Sequence, residues 1–472
     1  MPPNVRFSPI AACLALLLFA FCGLAQAAPA HIITGHLQLI WGDGPPAASG
    51  QQQQFRVSLV DDTGRRTPLD PVSALHAARD LYALNGQSVA VEVEDASTQA
   101  APSTGLVSTA IVPLHAGTSA QNGVTSAITG SQPWVSILCK FSDDAGEPNP
   151  LGYFTTMYAN QSGRLDHYWR TVSYGKINIV GSAAYGWFTL PHPRSYYVSS
   201  SSADLNKLFD DCTAAADPSV DFSQFVGINQ MFNDVLDCCA WGGSRYTTLD
   251  GQNKLWRVTW EPPWSFHNLA PMAHEMGHGF GLPHANNSDG DNDPYDNPWD
   301  VMSDAWDNAT HDSSYGSLPK HISIYSRDRL GWVGASEKQV INSSGSWTGI
   351  ALDFAEDASI AGVREIEIHQ PGVSGGEYFT VEARRRSGTY DGNLAATAVI
   401  VHSVLSRQEP AWSVDKSSPP ANVANNRGSQ FLVGDSYQLA PGVNISISAQ
   451  TATGFLVDVS VGDAIFQDGF EP

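Results

Sequence analysis

One stretch of eleven residues constrains this chain more than any other feature, and it reads H-E-x-x-H-x-x-G-x-x-H: His274-Glu275-Met276-Gly277-His278-Gly279-Phe280-Gly281-Leu282-Pro283-His284. Residues four apart on a helix share a face, so His274 and His278 can project together from a helix whose opposite stripe is apolar. Glycine adopts left-handed backbone angles without steric cost, so Gly281 is expected to end the helix. The chain can then turn and bring His284 back beside the other two histidines.

This arrangement predicts a catalytic zinc site. Zinc accepts imidazole nitrogen, and three histidine ligands leave one position open for water. We therefore predict His274, His278 and His284 as metal ligands and Glu275 as the general base, because Glu275 adjoins a ligand without being needed as one. The pattern fixes five residues, so a chance match at a given position is on the order of 10⁻⁷. Ordinary histidines or an inactive enzyme are the alternatives, and the retained Glu275 argues against the second.

The eleven residues match the metzincin signature, so the chain resembles the metzincin zinc proteases. Metzincins carry a methionine in a tight turn beneath the zinc, and the stretch Trp299-Asp300-Val301-Met302-Ser303 makes Met302 the candidate. Some metzincins place a tyrosine two residues after that methionine. Here the position is Asp304, so no such tyrosine is carried over.

Within the metzincins, the chain looks most similar to the secreted immune inhibitor A-like and gametolysin-like branch. The residues behind this are Ser173-Tyr174-Gly175-Lys176-Ile177, the pair Gly186-Trp187, and Tyr325-Ser326-Arg327-Asp328-Arg329-Leu330-Gly331-Trp332. The resemblance covers about residues 131–335. It implies a metzincin-type catalytic domain in which an edge strand holds an extended peptide by β-addition, without saying which strand.

The first 27 residues have the character of an export signal. Arg6 gives a positive start, residues 10–24 are uncharged and mostly apolar, and Ala25-Gln26-Ala27 is a small-x-small cleavage site. The apolar run is shorter than the roughly 20 residues that a spanning helix needs. We therefore expect a secreted protein, extracellular or periplasmic in transit, with no membrane attachment after signal cleavage.

The net charge bears on which partners the chain can bind, and the cysteines bear on the compartment in which it folds. The formal net charge of −22 argues against nucleic acid, since phosphate binding relies on Lys and Arg. Four cysteines follow the signal, namely Cys139, Cys212, Cys238 and Cys239, and disulfides are expected in an oxidising compartment. A bond between the neighbours Cys238 and Cys239 would be strained, so the sequence favours Cys212 with one of them. Zinc binding by these cysteines is the alternative, although no C-x-x-C spacing exists.

Before the zinc motif the chain divides into two regions. Residues 28–130 contain alternating strand patterns at 36–41, 54–60 and 89–93, followed by an Ala/Ser/Thr/Gly-rich linker, and suggest a β-rich segment that could be a propeptide. This segment has no cysteine, so a blocking thiolate is excluded there and another blocking group stays open. In 131–335, strands are predicted at 135–141, 176–180 and 225–231, helices at 163–173 and 203–216, and a polar loop at 196–202.

An acidic loop follows His284. Asp289, Asp291 and Asp293 have D-x-D-x-D spacing, and Asp300 lies eleven residues after Asp289. Ca²⁺ takes six to eight oxygen ligands, which this loop could supply. Pro294 occupies the position where an EF-hand requires glycine, so no EF-hand is expected. The alternatives are a calcium site of another geometry and a solvated acidic loop.

The remainder of the chain is predicted to be β-structure. Strand patterns at 365–368, 378–384, 398–402, 444–448 and 455–461 suggest a C-terminal β-sandwich, jelly-roll-like, over 336–462, with a short tail at 463–472. Residues 372–376 match G-x-S-x-G, but a strand follows, so the context of a nucleophile elbow is missing. The overall expectation is an α+β protein with a metzincin-type domain between two β-rich regions.

The function predicted from these features is hydrolysis of protein or peptide substrates by a secreted zinc endopeptidase. One alternative is an exported binding or adhesion protein with a structural or inactive zinc site. Another is a metallohydrolase that acts on something other than protein, such as a protein-bound glycan.

Overall fold

The computed structural model describes residues 31–46, 51–94, 105–114, 127–199, 201–291, 293–370, 377–405, 409–421 and 427–462. The predicted signal segment 1–27, the G-x-S-x-G stretch 372–376 and the tail 463–472 lie outside these residues. The described chain is a mixed α and β structure with several sheets, which confirms the coarse fold class. None of its helices is long and apolar enough to cross a membrane.

In its described residues, the N-terminal region contains β1 (His31–Asp43), β2 (Gln53–Val60), β3 (Arg66–Leu69), α1 (Pro71–Ala77), a 3₁₀ helix (Tyr82–Leu84), β4 (Ser88–Val93) and β5 (Ser108–Pro113). The long strand β1 pairs antiparallel with β2 and with β4. Alternate residues of these strands, among them Leu37, Leu39 and Trp41, bury their side chains in one cluster. This alternation is the pattern from which strands were predicted here.

The central region is built on a sheet whose strands lie in the order β11-β12-β10-β7-β9. Their bounds are β7 (Trp134–Lys140), β9 (Ala183–Thr189), β10 (Gly227–Phe232), β11 (Ala240–Leu249) and β12 (Gln252–Glu261), beside the short pair β6 (Gly130–Ser131) and β8 (Ile177–Asn178). β9, β7, β10 and β12 are parallel, and β11 runs antiparallel to β12. The β11–β12 hairpin turns at Asp250-Gly251, both with positive φ, as Asp-Gly hairpin turns require.

Helices cover both faces of this sheet. They are α2 (Leu151–Met157), α3 (Leu165–Val172), α4 (Arg194–Tyr197), α5 (Leu205–Ala216), α6 (Pro263–Phe266) and α7 (Leu269–Gly279). α3 and α7 pack into the cluster on one face, and α5 into the cluster on the other. The predictions for β7, α3, α5 and β10 hold to within a few residues. The strand expected at 176–180 is only the two-residue β8, and α4 occupies the start of the loop expected at 196–202.

β1 joins the N-terminal region to the central sheet. Its last four residues pair antiparallel with β11, in the register Ile40 to Gly243 through Asp43 to Ala240. The two regions therefore share one ten-stranded sheet. As a result, β1 covers the edge of β11 that the central region alone would leave open.

Two sheets face each other in the C-terminal region, with one apolar cluster between them. One contains β15 (Lys338–Ile341), β17 (Glu365–His369), β18 (Tyr378–Arg384), β19 (Ala398–Val404) and β20 (Trp412–Ser413). The other contains β16 (Gly345–Asp353), β21 (Ser436–Ala440), β22 (Val443–Gln450) and β23 (Gly454–Val461). Between the central region and these sheets lie β13 (Thr310–Asp312), β14 (Gly316–Leu318) and α8 (Ile324–Arg329), while α9 (Gly388–Asp391) follows β18.

A buried ionic contact fixes the C-terminal sheets to the central region. Arg384 donates from Nε and Nη2 to Asp391 Oδ2, and from Nη1 to the carbonyl oxygen of Trp299 at 2.8 Å. Arg384 and Asp391 hold each other charged in spite of burial, which keeps the pKa of Asp391 far below its usual range. Trp299 lies three residues before Met302, so this contact ties the C-terminal sheets to the segment that follows the H-E-x-x-H-x-x-G-x-x-H motif.

The disulfides differ from the expected pairing. Cys139 is bonded to Cys212, and the neighbours Cys238 and Cys239 are bonded to each other. The expectation that Cys212 would pair with Cys238 or Cys239 is therefore wrong. It overlooked that β7 and α5 pack together, which brings the Cα atoms of Cys139 and Cys212 to 6.0 Å, a usual distance for a disulfide.

A buried histidine predicts a specific pH dependence of stability. His402 is fully buried in β19 and neither ring nitrogen has a hydrogen-bond partner among the described residues. Burial, with the nearby Arg384, lowers the pKa of His402 from 6.5 to about 3. The unfolded chain therefore takes up this proton first as the pH falls. The resulting stability is present above pH 6.5 and is lost between there and pH 3, with a contribution of about 2 kcal/mol lost between pH 7 and pH 5.

We expect His402→Leu to reduce the loss of unfolding free energy between pH 7 and pH 5 by that amount, relative to the unmodified chain. Urea unfolding followed by tryptophan fluorescence measures it. His311→Leu, at an exposed position, is the matched control. An equal loss in His402→Leu and in the unmodified chain would contradict the assignment.

Candidate metal centre

Helix α7 presents the first two histidines as the sequence predicts. Leu269, Met272, Ala273 and Met276 lie in the apolar cluster, while His274 and His278 point the other way. At its end the amide of Leu282 donates to the carbonyl of Gly277, and Gly281 has a φ of 89°. This left-handed turn ends the helix and returns the chain towards it, so that His284 faces the same space.

Four side chains converge at one point: His274, His278, His284 and Asp43. One ligand atom of each lies within 4.8 Å of those of the others, and all four residues are buried. The Nε2 atoms of His274 and His278 are 3.1 Å apart. Asp43 Oδ1 lies 2.7 Å from His284 Nε2, and Asp43 Oδ2 lies 3.4 Å from both other Nε2 atoms.

The hydrogen bonds of the Nδ1 atoms show which ring nitrogen of His274 and His278 carries the proton. His274 Nδ1 donates to the carbonyl of Val301 at 2.6 Å, and His278 Nδ1 donates to the carbonyl of Leu282 at 2.8 Å. A carbonyl oxygen can only accept, so each Nδ1 carries the proton. In the neutral rings both Nε2 atoms are therefore acceptors with lone pairs directed at each other and at a carboxylate. A cation between these atoms would accept their lone pairs and remove the repulsion among them.

The spacing of these atoms fits one small metal ion. Zinc bonds of about 2.0–2.1 Å in a tetrahedral shell place the ligand atoms roughly 3.3 Å from one another. The Nε2–Nε2 distance of 3.1 Å and the two Nε2–Oδ2 distances of 3.4 Å agree with that value. The donor set is three imidazoles and a carboxylate, and Asp43 Oδ2 is a buried oxygen without a hydrogen-bond partner among the described residues. The residues present thus fit a metal ion.

Asp43 was not among the predicted site residues. It is the last residue of β1, between Gly42 and Gly44, and it reaches the site because β1 pairs with β11 beside α7. Two contacts fix this end of the strand: the ring of Trp41 stacks on that of His278 at 4.6 Å, and the hydroxyl of Tyr295 donates to Asp43 Oδ1 at 2.5 Å. The only sequence signal was an acidic residue between glycines at the end of a strand.

Glu409 is a second residue that the sequence did not indicate, and it comes from the C-terminal region. Its Oε2 lies 3.6 Å from His284 Nδ1, and its Oε1 accepts from the backbone amide of His284 at 3.4 Å. Oε1 also accepts from Trp41 Nε1 at 3.0 Å. All three imidazoles therefore have an acceptor beside Nδ1, two carbonyl oxygens and one carboxylate, as metal-binding histidines commonly do.

The ionisable groups of the site shift one another's pKa values. Burial opposes ionisation of Asp43, but His284 and His274 outweigh it and hold the pKa of Asp43 well below its usual range. Burial likewise opposes the charge on His284, but Asp43 and Glu409 raise its pKa to about 10. Burial lowers the pKa of His278 to about 4. The site therefore stabilises positive charge at its centre next to Asp43 and Glu409, which a metal cation would supply in place of a proton.

Glu275 lies beside the four converging residues and is not one of them. It is 1 % exposed, and its Oε2 has no hydrogen-bond partner in the described part of the chain. Burial, with Asp43 and Glu261, raises the pKa of Glu275 well above its usual value. A side chain at Gly242 of β11 would approach this oxygen to 2.7 Å, so glycine is needed there. A small pocket beside Glu275 has an aromatic wall that includes Trp264 and Trp306.

The predicted Met-turn lies beneath the histidines. Met302 is fully buried, and a side chain at Gly277 would meet its sulfur at 2.4 Å, so the methionine packs on the helix between His274 and His278. Asp300 braces the turn by accepting from the amides of Met302 and Ser323, both at 2.8 Å. Asp304, two residues after the methionine, binds Lys320 and not the site.

The acidic loop divides differently from the sequence expectation. Asp289 and Asp291 lie together, but the third member of their group is Asp296. Neither Asp293 nor Asp300 belongs to this group in the described residues, and Asp300 is committed to the Met-turn. The spacing of the aspartates along the chain could not reveal that the loop folds back at Asp296.

Comparison of the chain with protein-family models, with curated proteins and with solved structures finds no match.

Proposed function

We propose that this chain is a secreted zinc endopeptidase of the metzincin type, folded in a latent form. The observation that carries the proposal is the convergence of three imidazole nitrogens on one point, with a buried carboxylate, Glu275, beside it. The H-E-x-x-H-x-x-G-x-x-H pattern and the position of Met302 under the helix support the assignment to the metzincins. Export rests on the predicted signal segment.

His274, His278 and His284 would hold the metal, with Glu409 orienting His284. A bound zinc ion supplies a Lewis acid that polarises the scissile carbonyl and makes its own bound water acidic. Glu275 would act as the general base that takes a proton from the attacking water, and would later donate that proton to the leaving amine. Its burial favours the protonated form, which suits the later step in which it acts as an acid, while a cation held by the three histidines would favour the ionised form that the first step needs.

The substrate class follows from the edge strand. β11 runs beside α7, and its backbone between Ala240 and Gly243 pairs with β1 in antiparallel register. An extended peptide on this edge would make the same backbone hydrogen bonds and pass over Glu275. We therefore assign β11 as the strand that holds a peptide substrate.

Asp43 accounts for latency. It lies where a substrate carbonyl or water would have to lie, and β1 occupies the edge of β11 that a peptide would use. The hydroxyl of Tyr295, which donates to Asp43 Oδ1, is directed at this position. Once Asp43 leaves, the same hydroxyl can donate to the oxyanion that forms on the substrate.

One observation favours a second candidate, a binding protein with a structural metal. Four protein ligands form a closed shell, which is typical of structural zinc sites and leaves no place for water. Two features favour catalysis. The buried Glu275 lies beside the site, and the fourth ligand, Asp43, comes from the N-terminal segment, which proteolysis could remove. The two candidates differ in what happens when Asp43 is taken away.

The test is incubation of the full-length chain and its Asp43→Ala variant with a peptide library, with products identified by mass spectrometry. We expect peptide-bond cleavage by the variant that stops with 1,10-phenanthroline and returns with added zinc. Zinc bound to a variant that cleaves nothing would support the structural candidate. Hydrolysis of glycans without peptide cleavage would support a different hydrolase.

Glu409 provides a prediction about metal affinity. Replacing it with glutamine removes the negative charge beside His284 Nδ1 while Trp41 Nε1 keeps an acceptor. We expect zinc affinity to fall about 10–100-fold, as for other outer partners of metal-binding histidines. Competition with a chromogenic chelator measures it, and the surface variant Glu147→Gln is the control. Equal affinity in the two variants would refute this role.

A further inference from the structure

We propose that Asp289, Asp291 and Asp296 form a second metal site, for Ca²⁺, in the loop between His284 and Met302. This inference does not depend on the proposed function, because it concerns other residues and another kind of ion. The proposed ligands differ from those that the D-x-D-x-D spacing suggests, because Asp296 takes the place of Asp293.

The first observation is the grouping of three carboxylates. One oxygen of each lies within 4.8 Å of those of the others. Three like charges at this distance repel one another, and they are brought together by a loop whose backbone fixes their directions. Asn287 Oδ1 accepts from the amide of Asp289 at 2.6 Å, and Asp289 Oδ1 accepts from the amide of Asp291 at 3.0 Å.

The second, independent observation is the environment of Asp296. The residue is only 6 % exposed, and its Oδ2 has no hydrogen-bond partner among the described residues. Its other oxygen, Oδ1, accepts from the amide of Asn287 at 2.8 Å. A buried carboxylate oxygen without a donor is costly unless a cation or a proton satisfies it. Burial, together with Asp289, Asp293 and Asp291, raises the pKa of Asp296 to about 8.

The chemistry of the donors selects the ion. All three ligands are carboxylate oxygens, with no imidazole or thiolate in the group, and Asp291 is exposed to solvent. Ca²⁺ prefers six to eight oxygen ligands in flexible geometry and completes its shell with water and backbone carbonyls. Zn²⁺ would prefer the histidine site, and Mg²⁺ demands a more regular octahedron than an irregular loop provides.

Because of where the loop lies, a bound ion would also stabilise the segment around it. Asp296 directly follows Tyr295, whose hydroxyl reaches Asp43, and the carbonyl of Asn286 accepts from the amide of Ser413 in the C-terminal sheets at 2.9 Å. A cation bound to Asp296 would therefore brace the segment between the third histidine and Met302 without contacting the first metal site.

The test uses the full-length chain and Tb³⁺ as a luminescent probe, with Ca²⁺ as competitor. We expect Tb³⁺ emission that saturates at one site, displacement by Ca²⁺ but not by equal Mg²⁺, and an apparent Ca²⁺ Kd of roughly 10⁻⁵–10⁻³ M. A rise in Tm with added CaCl₂ and an unchanged zinc content are expected in parallel.

Asp296→Asn and Asp291→Asn should each weaken Ca²⁺ binding at least tenfold, whereas Asp293→Asn should weaken it less, because it removes a nearby negative charge but no ligand. Asp291 is exposed, so its variant remains informative even if Asp296→Asn fails to fold. No Tb³⁺ or Ca²⁺ response in the unmodified chain, or unchanged affinity in Asp291→Asn, would overturn the site. An effect of Asp293→Asn as large as that of Asp291→Asn would overturn the ligand set.

Discussion

Replacing Asp43 with alanine is expected to raise kcat/KM for peptide cleavage by the full-length chain about 30-fold or more. Asp43 is a buried anion that faces three histidines, and on the proposed function it occupies the position that water or substrate would take. Loss of such a partner from a buried charged contact changes free energies by roughly 2–5 kcal/mol. That range corresponds to factors from about 30 to several thousand. The lower end is expected because the variant keeps the pairing of β1 with β11.

A fluorogenic peptide assay measures this effect, and the spectrum of the Co²⁺-loaded chain adds a readout independent of turnover. When a carboxylate ligand is replaced by water, the visible absorption of Co²⁺ should change. Asp62→Ala, an exposed aspartate in the same N-terminal region, is the matched control and should leave both signals unaltered. Identical cobalt spectra for Asp43→Ala and the unmodified chain would rule out Asp43 as a ligand.

The second large effect is expected for Glu275→Gln, introduced into the Asp43→Ala chain so that activity can be measured. Glutamine keeps the size of the side chain beside Gly242 but cannot accept and return a proton. General bases contribute about 10²–10⁴-fold, so we expect kcat to fall on the order of 1,000-fold. Zinc content should stay the same, because Glu275 is not among the four converging residues.

The measurement pairs kcat with the metal content of the same preparation. Glu147→Gln in the Asp43→Ala chain is the control for loss of one surface carboxylate. If Glu275→Gln retained its zinc and cleaved peptides within tenfold of its parent, Glu275 would not be the base. Loss of zinc together with activity would instead give Glu275 a role in holding the metal centre together.

The sequence predicted those parts of the site that depend on local geometry. His274 and His278 share a helix face because of the helical repeat, and Gly281 turns the chain because it alone tolerates a φ of 89° without strain. His284 follows within three residues of that turn. Several strands were also predicted, because apolar residues alternate along them, and β4 shows the matching alternation of buried and partly buried residues.

The parts that were missed depend on contacts between distant segments. Asp43 lies 241 residues before His284, and Glu409 lies 125 residues after it, so neither has a fixed spacing from the motif. Their positions follow from the pairing of β1 with β11 and from the docking of the C-terminal sheets. The wrong disulfide pairing has the same origin, because only the packing of β7 on α5 brings Cys139 to Cys212.

The pairing of β1 with its neighbours sets a requirement for any proteolytic activation of the proposed latent form. Residues 40–43 pair with β2 on one side and with β11 on the other. The ring of Trp41 stacks on that of His278, and its Nε1 donates to Glu409. A single cut in the linker downstream of β5 would therefore yield a nicked complex whose severed piece stays bound and still blocks the cleft. On the proposed function, maturation would therefore require that the severed piece be unfolded or digested, because the cut itself leaves β1 paired with β11.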